Sequence, residues 1–244
     1  MQRNLRRPPS WLITSPEAVD TELGLIKTGK EADTHLVERR LGERGHLLAR
    51  KVYRSLEHRT FHNDAAYRAG RRTGERRVDL AMAQGSRAGM RMRAVQWARH
   101  EHRMLRRLWQ AGAAVPYPID CDGAEMTMEY MGTLELAAPR LVEAARSGAL
   151  DYPDLWRQCR ELLRIMVRSG VVHADLSPYN LLVWHRRLIA IDFPQAVDLG
   201  PNGSDLEFLH RDVANVCRFF SARGVDCDAE EVFADLVSFV PWPQ

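Results

Sequence analysis

Near residue 130 the hydrophobic pattern of this chain changes period, and that change limits the folds open to it more than any other feature. Residues 23–54, LGLIKTGKEADTHLVERRLGERGHLLARKVYR, alternate short apolar runs with glycine-containing turns. The alternation predicts antiparallel strands with a hairpin near Gly42 to Gly45. A helix is predicted across about 90–110, where Val95, Ala98, His102, Leu105 and Leu108 recur at three or four residues and Gly112 stops it. Glu101 lies close to the apolar face of that helix. EMTMEYMG at 125–132 reads as a further strand. Beyond it Leu155, Cys159, Leu162 and Met166 mark one helix, with Gly170 just past its end, and Leu206, Leu209, Val213, Val216 and Phe220 mark another. Asp228 and Glu231 have the spacing of a capping box and announce a third. The expected organisation is an N-terminal extension at 1–22, a small sheet lobe with one main helix at 23–130, and a larger, mostly helical lobe at 131–244.

Composition narrows the class. With 244 residues and 45% hydrophobic content the chain can bury a sizeable core. No run of about 18 apolar residues suits a membrane span, and MQRNLRRPPS carries charge with no apolar stretch after it. The expectation is a soluble, cytoplasmic protein with no membrane partner. Cys121, Cys159, Cys217 and Cys227 are scattered without a C-x-x-C pair, so reduced thiols are expected rather than a zinc knuckle or disulfide framework. A net charge of +3 is too small to announce nucleic-acid binding by the whole chain. Only three lysines occur, Lys27, Lys30 and Lys51, among many arginines. An ammonium is a compact charge that reaches between phosphates where the broad guanidinium fork does not.

VVHADLSPYNLL at 171–182 sets His173, Asp175 and Asn180 in a short polar loop between apolar runs, and IAID follows at 189–192. In chain order, Lys51, Glu101, Asp175, Asn180 and Asp192 supply what phosphoryl transfer needs. Those needs are a lysine for nucleotide phosphates, a carboxylate to hold it, an acidic group to direct the acceptor, and amide and carboxylate oxygens for Mg²⁺. Oxygen donors suit hard Mg²⁺, with Mn²⁺ as the alternative ion. Each residue also has a plain reading. Lys51 fits an edge strand, Glu101 a solvated helix face, and Asp175 and Asn180 ordinary turn contacts. His173 is read as a packing residue that holds the loop.

TGKEA at 28–32, HADLSPYN at 173–180, IDFPQAVD at 191–198 and LEFLHRDVANV at 206–216 together resemble the RIO family of atypical serine/threonine protein kinases. The similarity runs from about Leu23 to Leu236, and QWARHEHRML resembles the helix that supplies the lysine's partner. The resemblance implies an α+β, bilobal protein-kinase-like fold that lacks a full activation segment and peptide-docking subdomain. It implies an ATP- and Mg²⁺-dependent kinase acting on a protein substrate or on itself. Asp175 is then the base, and Asp192 and Asn180 are the metal ligands. Asp192 is also the candidate nucleophile, because an aspartyl-phosphate is associated with that position. Lys51 and Glu101 serve the nucleotide, Gly29 and Lys30 cover its phosphates, and Met128, Glu129 and Met131 in the MEYM run meet adenine. Asp212 is read as holding the catalytic loop from below, or as a plain helix aspartate.

Several letters depart from ordinary kinases or from the family. Ala174 stands where regulated kinases place an arginine, and only 19 residues separate Asp192 from Asp212 with no A-P-E after them. Pro178 and Pro194 replace residues expected in the two loops without removing a ligand. Residues 55–89 read as a mobile loop inserted after the third strand. Within 68–93, Arg68, Arg71, Arg72, Arg76, Arg77, Arg87, Arg91 and Arg93 face only Glu75 and Asp79. That footprint suits RNA phosphates or a ribosomal particle, and equally a solvated loop. Two alternatives to a protein kinase stay open. One is an ATPase-type switch in ribonucleoprotein assembly, and the other is a small-molecule kinase of the aminoglycoside phosphotransferase type.

Overall fold

The computed structural model describes residues 5–54, 87–200 and 204–241. The chain divides into two compact units. One comprises Pro9–His102 with Pro118–Tyr130, and the other Met1–Pro8, Arg103–Tyr117 and Met131–Gln244. Among the described residues no helix is long and apolar enough to cross a membrane. All four cysteines are free thiols, with Cys159 and Cys217 buried.

The first unit is built on an antiparallel sheet of β1 (Val19–Thr28), β2 (Ala32–Leu41), β3 (Arg44–Tyr53), β4 (Pro118–Asp122) and β5 (Glu125–Glu129), in the order β1-β2-β3-β5-β4. Gly42 opens the two-residue turn between β2 and β3 at φ +60, a backbone setting that glycine adopts without steric cost. β1 begins at Val19, inside the stretch expected to be an extension. Its first residues carry no apolar alternation. They pair instead through charge, since Asp20 lies opposite Arg39 and its two carboxylate oxygens accept from Nε and Nη2 of that guanidinium at 2.7 and 2.8 Å. That bidentate bond holds the Asp20 carboxyl below the usual carboxylate range.

Helix α1 (Arg87–Gln110) takes in the last three residues of the expected loop, so Arg87, Arg91 and Arg93 belong to a helix. The rest of that loop, 55–86, lies outside the described residues. Ala94, Trp97 and Ala98 of α1 pack with Ala32 and Tyr53. The buried stripe therefore runs through Trp97 and Glu101, while Val95 and His102 are only half-buried.

In the second unit the short α2 (Leu141–Ser147) comes first, without having been expected, and α3 (Tyr152–Arg168), α4 (Ser204–Ser221) and α5 (Ala229–Val237) follow the expected helical periods. Leu155, Cys159, Leu162, Leu163 and Met166 of α3 are buried, as are Leu209, Val213, Val216 and Phe220 of α4. Asp228 caps α5 by accepting the amides of Glu230 and Glu231 at 2.8 and 3.0 Å. Between α3 and α4 lie β6 (Val171–Val172), β7 (Leu181–Trp184), β8 (Arg187–Ala190) and β9 (Val197–Asp198). β6 pairs with β9 and β7 with β8, so the 173–196 segment leaves and returns through one short two-stranded base. The β7–β8 turn places His185 and Arg186 at φ +47 and +62 without a glycine. Gln158 of α3 holds that turn, donating to the Arg186 carbonyl at 2.9 Å and accepting the Leu188 amide at 2.8 Å.

Candidate active site

Lys51 lies in β3, flanked by β2 and β5, with Thr34 and Met126 opposite it. It is not an edge-strand lysine. Its ammonium donates to both carboxylate oxygens of Glu101 on α1, at 2.8 and 3.1 Å. Glu101 is fully buried and Lys51 is 8% exposed. A buried carboxylate is costly without partners, and Glu101 has a second one in the Tyr53 hydroxyl, which donates to Oε2. Tyr53 is two residues beyond Lys51 on the same strand, so both side chains project from one face of the sheet. The ammonium also sits 5.2 Å from the centre of the Tyr53 ring. Tyr53 is the participant that sequence reasoning missed, although the period of two alone would have placed it beside Lys51.

In the helical unit, Asp175 is exposed on a loop whose backbone is clamped from beneath. Asp212 of α4 is 1% exposed and accepts the amides of Ala174 and Leu176, each at 2.8 Å. Arg211 donates to the Ala174 carbonyl, and Asn215 donates to the Leu176 carbonyl at 3.2 Å. Arg211, Asp212 and, about one turn on, Asn215 of α4 therefore satisfy both neighbours of Asp175, and Asp212 takes the anchoring role rather than that of a surface aspartate. Burial pushes the Asp212 carboxyl up to about 6, against the opposing pull of His173, the two amides and Arg211. Ala174 is held at φ +64, an unfavourable setting for a residue with a Cβ, and the bonds on both its peptide groups keep it there. His173 is buried, donates from Nε2 to the Ile191 carbonyl at 3.0 Å, and packs on Phe193 with ring centres 4.4 Å apart. Its Nδ1 is buried without a partner, which fits the packing role expected for this imidazole.

Asn180 and Asp192 are brought to the same end of the β7–β8 hairpin. Leu181 lies opposite Ala190, and one step further the Ile191 amide donates to the Asn180 carbonyl at 3.0 Å. Asp192 follows at φ +71, a left-handed residue at the exit of the hairpin. Asn180 donates from Nδ2 to the Asp175 carbonyl at 2.9 Å and to its Oδ2 at 3.2 Å, which leaves the amide oxygen as the acceptor it can offer. Among the described residues no group of three or more His, Cys, Asp or Glu is placed to hold an ion. Two hard oxygen donors are too few for a resident cation, but they fit Mg²⁺, which keeps its waters and binds with substrate phosphates.

The remaining expected residues are more dispersed. Gly29 and Lys30 form the β1–β2 turn, where Lys30 is exposed. The Gly29 amide donates to the Ala32 carbonyl at 2.9 Å, and a Cβ at Gly29 would stand 2.9 Å from that oxygen, so this turn admits only glycine without a shift. Met128 and Glu129 end β5 opposite Ala49 and Leu48. Met131 accepts the Ala138 amide on its carbonyl at 2.9 Å. Arg68 to Arg77 of the arginine-rich stretch lie outside the described residues.

The RIO domain profile matches residues 37–232. The RIO-type serine/threonine-protein kinase Rio1 of Haloferax volcanii is 35% identical over 217 residues, covering 88% of this chain and 68% of that protein. The serine/threonine-protein kinase RIO1 of Chaetomium thermophilum is 35% identical over 214 residues, covering 83% of this chain and 40% of its own length. Among solved structures, the Rio2 kinase of Chaetomium thermophilum in its ADP/Mg²⁺-phosphoaspartate complex aligns with a TM-score of 0.62 at 22% identity. That alignment covers 90% of this chain and 62% of the Rio2 chain, and it supports the α+β protein-kinase-like fold. On its sequence and its fold, this chain belongs to the RIO family.

Proposed function

We propose that this chain is an ATP- and Mg²⁺-dependent serine/threonine kinase that also phosphorylates itself. The observation that carries this reading is the clamped loop. It presents an exposed Asp175 on a backbone fixed by Asp212, Arg211 and Asn215, and it sets Asn180 at the same hairpin end as Asp192. Bound ATP with Mg²⁺ would supply the phosphoryl group and the cation charge that stabilises its transfer.

Lys51, oriented by Glu101, meets the nucleotide phosphates, with Gly29 and Lys30 near them. Met128, Glu129 and Met131 line the base. Asn180 and Asp192 hold the cation, and Asp175 accepts the proton of the incoming hydroxyl. The Rio2 structure is a phosphoaspartate complex, which supports a two-step route through Asp192 here. One carboxylate oxygen of Asp192 bonds to the γ-phosphorus as the bond to the β-phosphate oxygen breaks and ADP departs. A serine or threonine hydroxyl then takes the phosphoryl group and restores the carboxylate, and its proton goes to Asp175. Contact of the 68–93 arginines with RNA phosphates rests on their charge alone, and steep loss of binding with salt is its test.

Incubating the pure protein with Mg²⁺ and γ-labelled ATP, and partitioning label among phosphoprotein, free phosphate and small acceptors, tests the reading. Label on serine or threonine is expected, with a base-labile fraction that disappears in Asp192→Asn. Lys51→Ala, Asp175→Ala and Asp192→Ala should each lower transfer by about 10²-fold or more. Label found mainly as free phosphate would favour an ATPase switch, and unchanged turnover in all three variants would overturn the site assignment.

A further inference from the structure

One pocket of the helical unit lies next to the Asp175 loop and has no ligand in the chemistry above. It is an open concavity of about 350 Å³, and the residues that line it include Arg146, Tyr179, Asn215, Arg218, Phe219 and Arg223, with no aspartate or glutamate. Arg146, Arg218 and Arg223 are exposed, and none has an ion-pair partner among the described residues. Arg223 is nevertheless fixed in place. Its Nη1 donates to the Phe219 carbonyl at 2.8 Å, and its guanidinium lies 3.6 Å from the centre of the Phe219 ring. Three permanent positive charges around one concavity repel one another, and an entering anion removes that cost.

Position says which anion. Tyr179, 53% exposed, belongs to the same loop as Asp175, four residues on. Asn215, also in the lining, donates to the carbonyl of Leu176, the residue after Asp175. We propose that this pocket recognises an acidic side chain, carboxylate or phosphorylated, within a few residues of the serine or threonine that the enzyme modifies. The proposal rests on the reading of Asp175 as the group that faces the acceptor. A polypeptide fits better than a nucleic acid, because Phe219 is already covered by Arg223 and Tyr179 is the one exposed ring in the lining, too little for a series of stacked bases. In this compact kinase, charge at the pocket would select a substrate where a longer docking platform does so elsewhere.

A fluorescent serine peptide with aspartates beside the serine, and the same peptide with asparagines, serve as probes. Their binding by anisotropy and their labelling from γ-labelled ATP are compared in the wild-type chain and in Arg146→Gln/Arg218→Gln. The aspartate peptide should bind about tenfold tighter than its neutral twin, and the double variant should shrink that preference to about twofold. Raising the salt should shrink it too. A phosphoserine in place of the aspartates should bind at least as well. The proposal is overturned if the wild-type chain shows no preference or the variant keeps it. It is overturned as well if homopolymeric RNA binds more tightly than the aspartate peptide and loses that binding in the variant. Binding is read without turnover, so absence of label on both peptides would count against the kinase reading alone.

Discussion

The two places where this chain holds the charged groups proposed for phosphoryl transfer use opposite means. In the sheet unit, Lys51 and Glu101 are buried, and each side chain is held by another side chain, with Tyr53 as a third member. In the helical unit, Asp175 is left exposed while the peptide groups on both sides of it are bonded by Asp212, Arg211 and Asn215. The first arrangement makes stability and function depend on the same bonds, because an ionised carboxylate in a core must keep its partners. The second separates them. The exposed Asp175, proposed to face the acceptor, contributes little to the fold, and the residues that fix its backbone have no part in the proposed proton transfer.

Substitutions can break this contrast, and the largest effect belongs to Glu101→Gln. Removing the carboxylate from a buried pair should cost about 3–5 kcal/mol, read as a lowered denaturation midpoint, and should also raise the KM for ATP. Asp175→Ala is the matching case in the other unit, where activity should fall with little change in midpoint. Equal destabilisation by the two variants would dissolve the comparison.

Asp212→Asn comes next. It keeps the shape but puts an NH₂ donor where one of the two accepting oxygens stood, so either the Ala174 or the Leu176 amide loses its acceptor, at about 2 kcal/mol and a tenfold or greater loss of kcat. It should also remove a pH dependence. The folded-state value of about 6 is raised above the ordinary 3.8, so the native form holds this proton more tightly than the unfolded one. Stability from this group is complete below about pH 4 and is lost as pH rises through 6, a decline of about 3 kcal/mol at most. Equilibrium unfolding between pH 4 and 7 should show the decline in the wild-type chain and a flatter profile in the variant. Tyr53→Phe is the smallest, at about 1–2 kcal/mol with KM for ATP moved less than in Glu101→Gln. A loss as large as that from Glu101→Gln would make the hydroxyl, and not the ammonium, the main support of the carboxylate.

Apart from the short α2, the helices and most strands could be read from the sequence because their signals are local. Leu155 to Met166 and Leu209 to Phe220 repeat with the period of a buried helical face, and Gly42 marks its turn. Lys51 with Glu101 could be read because residue type and order limit the chemistry. Other features had no local signal. β1 begins early through the Asp20–Arg39 pair, which depends on a partner strand rather than on alternation. The left-handed Ala174 and Asp192 are settled by bonds from α4 and by the exit of the β7–β8 hairpin. The arginine pocket gathers residues from α2, the loop that carries Asp175, α4 and the turn after it, and no window of sequence holds them all.

The β7–β8 hairpin also bears on the order in which the chain assembles. Its turn joins Asn180 to Ile191 across eleven residues, whereas Lys51 and Glu101 are 50 residues apart and Ala174 and Asp212 are 38 apart. Closing the longest of these loops costs about 1.3 kcal/mol more chain entropy than closing the shortest. The hairpin that sets Asn180 beside Asp192 can therefore form before either unit is complete, and the lysine pair must wait for helix α1 to reach the sheet. Pulse-labelled hydrogen exchange during refolding should find the Ile191 amide protected ahead of the Ala174 amide, and the reverse order would refute this sequence of events.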